Sequence, residues 1–162
     1  MAAPETSLEL NPELWRAIND DVMGGVSLGE IVAIDKGLRF QGELSLENNG
    51  GFASARRPFR DGLENVRGIR LRVHGDGRPY QFRIRVDDNN DGISWRHTFT
   101  TVGSWQTVEL LFDDFESVFR GRKIPGADSL DASDIRQLGF LLADGKAGAF
   151  RLDIAAIKFI YR

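Results

Sequence analysis

The chain has 162 residues, of which 41% are hydrophobic and 28% are charged, and its formal net charge at pH 7 is −3. This balance is typical of a globular domain with its own core, and the acidic total excludes a broad nucleic-acid-binding surface. The sequence contains no cysteine and two histidines, which excludes disulfides and thiolate metal sites and leaves imidazole catalysis few places to act.

The N-terminal segment predicts neither a targeting signal nor a membrane span. Residues 1–15 lack a basic start followed by an apolar run, and no stretch of about 18 apolar residues occurs later. A mitochondrial protein would need such a targeting segment. We therefore expect a bacterial-type stand-alone domain in the cytoplasm, with no direct insertion into a membrane.

An Asn-Asp-Asp-Val-Met-Gly-Gly-Val-Ser motif occupies residues 19–27, after a short helix expected near 11–18. Its adjacent carboxylates and amide suit the oxygen coordination of Ca²⁺, and its glycines would let backbone carbonyls approach. The alternative is an irregular loop in which Asn19 and Asp20 hydrogen-bond to nearby backbone amides. We favour the loop, and the sequence leaves the cation open.

After residue 25 the sequence alternates between short strand-like runs and turns rich in glycine and asparagine. The predicted strands are 30–34, 38–46, 51–59, 69–74, 80–86, 94–101, 106–112, 137–142 and 149–161. A spacing of about ten residues is typical of an all-β, two-sheet antiparallel β-sandwich with little helix. A turn at 131–137, capped by Asp131 or Ser133, is the other helical candidate. No linker divides the chain, so we expect one domain over 1–162, with its core from about residue 8.

Arginines alternate with apolar residues in two predicted strands, Ile-Arg-Leu-Arg-Val at 69–73 and Phe-Arg-Ile-Arg-Val at 82–86. Since side chains alternate between the faces of a strand, and the two strands follow one another, we expect them to be neighbours with all four arginines on one sheet face. The four are Arg70, Arg72, Arg83 and Arg85. Like charges opposed across strands repel, so either acidic side chains such as Asp87 and Glu109 or a bound ligand should neutralise them.

Residues 87–92, Asp-Asp-Asn-Asn-Asp-Gly, match the opening of a helix-loop-helix calcium loop. Position twelve of such a loop would be Thr98, where a bidentate glutamate is needed, and predicted strands flank the segment. We therefore predict a polar hairpin turn, with a weakly held cation as the alternative. The sequence predicts no cofactor.

Trp95, His97 and Phe99 share one face of the predicted strand 94–101, and Trp105 follows the next turn. An exposed indole could stack against a sugar ring, whereas a core indole fills volume. We favour the core for these aromatic residues and expect His97 to be half-buried and hydrogen-bonded.

Familiar catalytic motifs are missing from the sequence. It has no G-x-S-x-G nucleophile motif, no G-x-x-x-x-G-K-[ST] phosphate loop and no H-E-x-x-H metal motif. A pair of close carboxylates could still act on a substrate, but the sequence does not place carboxylates in space. We therefore expect a protein that is not an enzyme.

Three segments together resemble one known family. They are residues 19–27, the Leu-Ser-Leu-Glu-Asn-Asn-Gly-Gly-Phe-Ala-Ser-Ala-Arg stretch at 44–56, and Gly-Asp-Gly-Arg-Pro-Tyr at 75–80. Their order and separation are similar to those of the complex I intermediate-associated protein family, and the likeness covers nearly the whole chain. The resemblance implies a jelly-roll sandwich like that of galactose-binding and carbohydrate-binding modules. It also implies a non-catalytic role in assembling the respiratory NADH:ubiquinone oxidoreductase.

Our leading hypothesis is a non-enzymatic protein-binding domain whose partner is a protein subunit or a membrane-associated respiratory complex, and not a nucleic acid. A carbohydrate-binding module is the alternative. Besides the four arginines, the candidate binding residues are Asn19, Asp20, Asn48, Asn49 and Trp95. Asn48 and Asn49 open a turn against which the loop at 19–21 could pack, either as scaffold or as the lining of a ligand pocket.

Overall fold

The computed structural model describes residues 5–18, 27–47, 51–60, 62–87, 93–119, 122–123 and 130–162. In this part of the chain, strands and single turns of 3-10 helix follow one another. The strands are β1 (Glu5–Ser7), β2 (Arg16–Ala17), β3 (Leu28–Ile34), β4 (Gly37–Leu44), β5 (Ala53–Pro58), β6 (Val66–His74), β7 (Pro79–Arg85), β8 (Ser94–Thr100), β9 (Trp105–Leu111), β10 (Glu116–Phe119), β11 (Arg122–Lys123), β12 (Gln137–Leu142) and β13 (Gly148–Tyr161). The 3-10 turns are Pro12–Leu14, Phe112–Asp114 and Ala132–Asp134.

The strands form two antiparallel sheets. The first sheet has the order β3-β4-β13-β6-β9, with β1 also paired to β13. The second sheet has the order β11-β10-β8-β7-β12-β5-β2. The predicted all-β antiparallel sandwich is therefore confirmed.

Apolar side chains at every second position turn one face of each sheet towards a common core. The buried positions are Ile69, Leu71 and Val73 in β6 and Tyr80, Phe82 and Ile84 in β7. Aromatic rings fill much of the space between the sheets. The ring of Phe140 lies 5.2 Å from that of Phe82 and 5.8 Å from that of Trp15, measured between centroids. Burying such large rings contributes strongly to the stability of the sandwich.

The predicted pairing of the two arginine-bearing strands is wrong. β6 lies in the first sheet between β13 and β9, whereas β7 lies in the second sheet between β12 and β8. Because both strands turn their apolar faces towards the same core, the short connection between them crosses from one sheet to the other. The arginines of β6 and those of β7 consequently lie on opposite outer faces of the sandwich.

Hydrogen bonds and an ion pair hold the connection between β6 and β7 in place. This connection contains most of the Gly-Asp-Gly-Arg-Pro-Tyr segment at 75–80. Asp76 accepts from the Tyr80 hydroxyl at 3.0 Å and from the Arg151 backbone amide at 2.8 Å. The Arg78 guanidinium binds both carboxylate oxygens of Asp144, at 2.8 and 2.7 Å. Its hydrogen bonds lower the pKa of Asp144. In the structure this segment therefore acts as a corner that holds the two sheets together.

The predicted helical segments are single turns, each capped by a side chain. Asn11 accepts from the Glu13 amide at 3.0 Å, and Asp131 accepts from the Ser133 amide at 3.0 Å. Such caps satisfy amides that a helix start leaves without partners. None of the helices in the described ranges is long and apolar enough to cross a membrane.

Candidate functional site

Arg70 and Arg72 lie on the outer face of the first sheet, where neighbouring strands hold them. The Arg70 guanidinium donates to Glu109 Oε1 from Nε at 3.1 Å and from Nη2 at 3.0 Å. Arg72 donates to Thr107 Oγ1 at 3.3 Å, and its guanidinium carbon lies 6.0 Å from the centre of the Trp105 ring. Contacts within the chain, one of the two expected alternatives, therefore hold these two arginines.

Arg39 lies on the same outer face and is bound by a carboxylate. Its Nε and Nη2 donate to the two oxygens of Asp153 at 2.7 and 3.2 Å. The Asp153 side chain is only 9% exposed. The hydrogen bonds between Arg39 and Asp153, and then the negative charge of Asp153, raise the pKa of Arg39. The first sheet thus supplies its own anion to this arginine.

Arginines from four strands stand in register on the outer face of the second sheet. Consecutive strands place Arg16 opposite Arg56, Arg56 opposite Gly139, Gly139 opposite Arg83, and Arg83 opposite Arg96. We call these five residues the arginine row. It runs across the sheet from β2 through β5, β12 and β7 to β8.

Two further charged residues flank the arginine row. Arg85 lies two positions from Arg83 along β7, and therefore on the same face. Glu116 stands opposite Arg96 in β10, where its Oε2 lies 3.3 Å from Arg96 Nε. An acidic side chain on the next strand, β10, therefore lies beside the β8 end of the arginine row.

Gly139 interrupts the arginine row in its middle. A Cβ atom at this position would lie 2.6 Å from the carbonyl oxygen of Ala55 and 2.9 Å from the Cβ of Arg56. A larger residue would therefore force the backbone or Arg56 to move. Only a shallow pocket of about 20 Å³, lined by Arg56 and Arg83 among others, lies beside the glycine.

Polar side chains around the arginine row are buried even though they point away from the core. Ser54 and Ser94 are 3% and 2% exposed, and Gln137 is 7% exposed. Arg83 donates to Ser94 Oγ at 2.6 Å and to Gln81 Oε1 at 2.8 Å. Both acceptors are neutral, so these contacts orient the guanidinium without compensating its charge.

Burial and mutual repulsion weaken proton binding in the row. Burial first, and then the charges of Arg96, Arg85 and Arg56, lower the pKa of Arg83 to about 10. Burial first, and then the charges of Arg85 and Arg16, lower the pKa of Arg56 to about 10. Both groups still carry their charge at neutral pH. The outer face of the second sheet therefore gathers several positive charges in a small area.

The aromatic residues of β8 turn inward, as expected. Trp95 is partly buried against the core, and Phe99 is 4% exposed. The His97 ring contacts the edge of Phe115, and its Nδ1 lies 2.9 Å from the Thr98 carbonyl oxygen. The expected core position of Trp105 is wrong. It stands on the outer face of the edge strand β9 and is 42% exposed.

Several predicted site residues lie outside the described residues. These are Asn19, Asp20, Asn48 and Asn49, together with residues 88–92 of the acidic loop, and their roles stay predictions. Asp87, which precedes that part of the loop, accepts a hydrogen bond from Gln137 Nε2 on its carbonyl oxygen at 3.0 Å. Within the described ranges, no group of three or more histidine, aspartate and glutamate side chains is placed to hold a metal ion.

Sequence reasoning missed four members of the arginine row: Arg16, Arg56, Gly139 and Arg96. They lie on four strands that are distant in sequence, and only the register of the sheet brings them together. Two signals pointed towards them. Arg56 ends the segment 44–56 that carries the family resemblance, and all ten basic residues of 51–100 are arginines.

The fold defines a jelly-roll β-sandwich of the kind seen in carbohydrate-binding modules. A family 11 carbohydrate-binding module from Clostridium thermocellum, solved with a β-1,3-1,4-mixed-linked tetrasaccharide, matches with a TM-score of 0.72. The match covers 99% of this chain and 98% of that one at 23% identity, so it concerns the fold alone. The chain belongs to the complex I intermediate-associated protein 30 (CIA30) family, whose model matches residues 4–154. The resemblance seen in the sequence is therefore confirmed.

Two curated relatives are similar to most of this chain. An uncharacterized protein of Schizosaccharomyces pombe is 28% identical over 92% of this chain and 81% of its own length. The probable complex I intermediate-associated protein 30, mitochondrial, of Caenorhabditis elegans is 27% identical over 88% of this chain and 48% of its own length. The chain thus spans about half the length of this nematode relative.

The predicted cytoplasmic location is wrong, because the nematode relatives are named as mitochondrial proteins. The prediction rested only on the failure to find a targeting pattern, which is a weak argument against a location. The expectation of a bacterial-type stand-alone domain stays a prediction.

Proposed function

We propose that this chain is a non-enzymatic protein-binding domain that helps to assemble respiratory complex I. The observation that carries the proposal is membership of the CIA30 family over residues 4–154, nearly the whole chain. The partner would be a protein subunit or an intermediate of that complex. Strands from both ends of the chain share the sandwich, since β1 pairs with β13, which supports one domain over 1–162.

The charged groups of the second sheet favour binding over catalysis. General acid–base chemistry needs a group whose pKa lies near the working pH. Among the described residues of the arginine row and its flanks, all the charged groups except Glu116 are guanidiniums, and even Arg56 and Arg83 keep pKa values of about 10. Such groups hold an anion well at neutral pH but do not exchange a proton readily. We therefore propose that Arg83 and Arg85 contact the partner.

The test is to ask whether the chain travels with partly assembled complex I. A tagged copy is expressed in its native cells, membranes are separated on native gels, and co-migrating proteins are identified by mass spectrometry. We expect co-migration with complex I subunits in intermediates smaller than the mature complex. Charge reversal at Arg83 and Arg85 should weaken this capture.

Charge reversal at Arg70 and Arg72 is the matched control, because these arginines lie on the opposite outer face. It should leave capture unchanged. Migration of the wild-type chain without any complex I subunit would contradict the proposed function. Full capture by the Arg83 and Arg85 variant would contradict the proposed contact.

The carbohydrate-binding alternative is supported by one feature, the exposed indole of Trp105. Its ring lies on the outer face of the first sheet, beside His74 at 5.4 Å between ring centroids. A sugar ring could stack there on an aromatic face. Titration with oligosaccharides, followed by tryptophan fluorescence, should then give a response that Trp105→Ala abolishes. The absence of any response would remove this alternative.

A further inference from the structure

We infer that the open edge of β9 binds an extended segment of another protein as an added antiparallel strand. A basic side chain of that segment would lie against Glu109, and an apolar side chain would lie against Trp105. The inference goes beyond the proposed function and does not rest on it, because β9 lies in the other sheet from Arg83 and Arg85. The protein that supplies the strand need not belong to complex I.

β9 is the long open edge among the four sheet edges that the described strands form. It ends the first sheet and pairs with β6 alone. The second sheet ends in β2 and β11, each only two residues long. β3, at the other end of the first sheet, lies against β2 and β5. The outward backbone groups of the seven-residue strand β9 therefore have no partner strand in the described part of the chain.

β9 has few of the features that usually stop another strand from pairing with an edge. Such features are proline, lysine, a bulge or a very short strand. β9 contains neither proline nor lysine, and its register with β6 runs without interruption from Trp105 to Leu111. Its one charged residue, Glu109, already contacts Arg70 of β6. An extended segment can therefore continue the ladder along the whole strand.

Exposed apolar side chains lie at the start of β9. Trp105 is 42% exposed, and Val102, in the turn before the strand, is 67% exposed. Side chains that stand opposite each other on neighbouring strands come within about 5 Å of each other. An aromatic or β-branched residue opposite Trp105 would therefore cover part of this apolar surface. This end of the edge favours an apolar side chain on the added strand.

Glu109 offers an unused carboxylate oxygen near the other end of β9. Both hydrogen bonds from Arg70, at 3.1 and 3.0 Å, reach its Oε1. Its Oε2 accepts no hydrogen bond from the described residues, and the side chain is 49% exposed. A basic side chain opposite Glu109 on an added strand would bind this second oxygen. The carboxylate would then bridge one cation of this chain and one of its partner.

The distance between these two positions fixes the pattern of the segment. Every pair of neighbouring strands described in the two sheets is antiparallel, so we take the added strand to be antiparallel as well. Trp105 and Glu109 are four residues apart and therefore on the same face. An antiparallel partner would thus carry its basic residue four positions before its apolar residue.

A foreign segment fits this edge better than a second copy of the chain does. β9 contains no basic residue, so a copy of β9 cannot supply a cation for Glu109. Two copies would also each carry a net charge of −3 and repel each other, whereas a basic segment is attracted. A nucleic acid or a lipid has no peptide backbone with which to continue the ladder. The occupant is therefore a basic, extended segment of a different protein.

The test uses the intact chain labelled with nitrogen-15 and two synthetic peptides. The first is acetyl-Thr-Val-Arg-Val-Thr-Thr-Ile-amide, and the second has glutamate in place of arginine. We expect NMR titration to show the first peptide binding at β9 about two- to fivefold more tightly than the second, as expected for one cross-strand ion pair. Binding should slow hydrogen exchange at every second amide of β9, because neighbouring residues of an antiparallel strand direct their amides to opposite sides.

Two proline variants locate the open edge. Thr107 and Val108 are neighbours, so one of them directs its N–H away from β6. Proline at that position should leave the fold intact in urea denaturation and abolish peptide binding. Proline at the other position removes a hydrogen bond to β6 and should destabilise the fold.

A charge change at Glu109 keeps the test decisive if both proline variants unfold. Glu109→Lys should reverse the preference, so that the glutamate peptide binds more tightly than the arginine peptide. Glu30→Lys is the matched control, because it makes the same change on β3, at the far edge of the same sheet. It should leave the preference unchanged.

Four results would overturn the inference. They are no binding of the arginine peptide, binding without slower exchange in β9, equal affinity for the two peptides, and self-association of the chain that the folded proline variant abolishes. The last result would make a second copy the occupant. None of these measurements involves complex I, so failure of the inference and failure of the proposed function are separate results.

Discussion

The two outer faces of the sandwich use arginine in opposite ways. On the first sheet, Arg39 stands opposite Asp153 of the central strand β13. On the second sheet, the arginines of β5 and β7 stand on either side of Gly139 in β12. A carboxylate thus faces the arginine in one sheet, whereas a glycine without a side chain stands between the two arginines in the other.

The two faces also differ in the effect of folding on the pKa of their arginines. Asp153 raises the pKa of Arg39, so the folded state favours the charged guanidinium there. Burial and neighbouring cations lower the pKa of Arg83, so folding carries an electrostatic cost at that position. A group that destabilises the fold in this way is typical of a functional site. The following predictions test the contrast, from the largest expected effect to the smallest.

Removing the carboxylate of the first sheet should cause the largest loss. We expect Asp153→Asn to lower the free energy of unfolding by about 2–3 kcal/mol, because it leaves the partly buried Arg39 without its counter-charge. Urea denaturation measures the change. Asp113→Asn, at an exposed position in a 3-10 turn, is the control and should change stability by less than about 0.5 kcal/mol. Equal effects of the two variants would show that the Arg39–Asp153 pair is not structural.

Replacing an arginine by methionine should have opposite signs on the two faces. We expect Arg39→Met to destabilise the fold, whereas Arg83→Met should raise the free energy of unfolding by about 1 kcal/mol. This value is smaller than the free energy equivalent to the whole lowering of the Arg83 pKa. We reduce it because the Arg83 guanidinium keeps some contact with solvent, which screens its charge. The same denaturation series measures both variants. Destabilisation by Arg83→Met would mean that this arginine serves the fold and not a ligand.

The smallest effect is a pH dependence at the alkaline end. Arg83 has a folded pKa of about 10, below that of an ordinary arginine, so the unfolded chain holds more protons than the folded chain above about pH 10. The electrostatic cost of Arg83 is therefore fully present at pH 7 and begins to fall as the pH rises above about 10. The stability advantage of Arg83→Met should shrink over that range.

Carbon-13 NMR of the guanidinium carbons measures the same titration directly. The Arg83 signal should move with a midpoint near pH 10, while the Arg39 signal stays constant. An Arg83 signal that stays constant up to pH 11 would contradict the proposed crowding of positive charge.

Much of the fold follows from local patterns in the sequence. Alternation in segments such as 69–73 and 82–86 requires only that each strand bury one face. Ile69, Leu71, Val73, Phe82 and Ile84 do point inward, whereas Val86, just beyond the end of β7, is exposed. Of the two caps predicted for the turn at 131–137, Asp131 and Ser133, Asp131 is the one found, because capping depends on the residue itself and its near neighbours. Neither prediction needs knowledge of which strands meet.

The candidate site depends on long-range arrangement, which local patterns do not contain. The alternation that identified Arg70 and Arg83 is the same in both strands, yet the two residues lie in different sheets. Gly139 carries no sequence signal at all, since its importance comes from facing Arg56 and Arg83 across two strand pairs. Register between distant strands decides which charges meet, and only the folded chain defines it.

The pairing of β1 with β13 has a consequence for protein architecture. Glu5 stands opposite Ile160 in this ladder, so the chain enters and leaves the sandwich at neighbouring points. A domain with adjacent ends can be inserted into a loop of another protein, or circularly permuted, without separating its sheets. Joining the two ends by a short glycine-serine linker and opening the chain at another exposed turn should therefore preserve the fold.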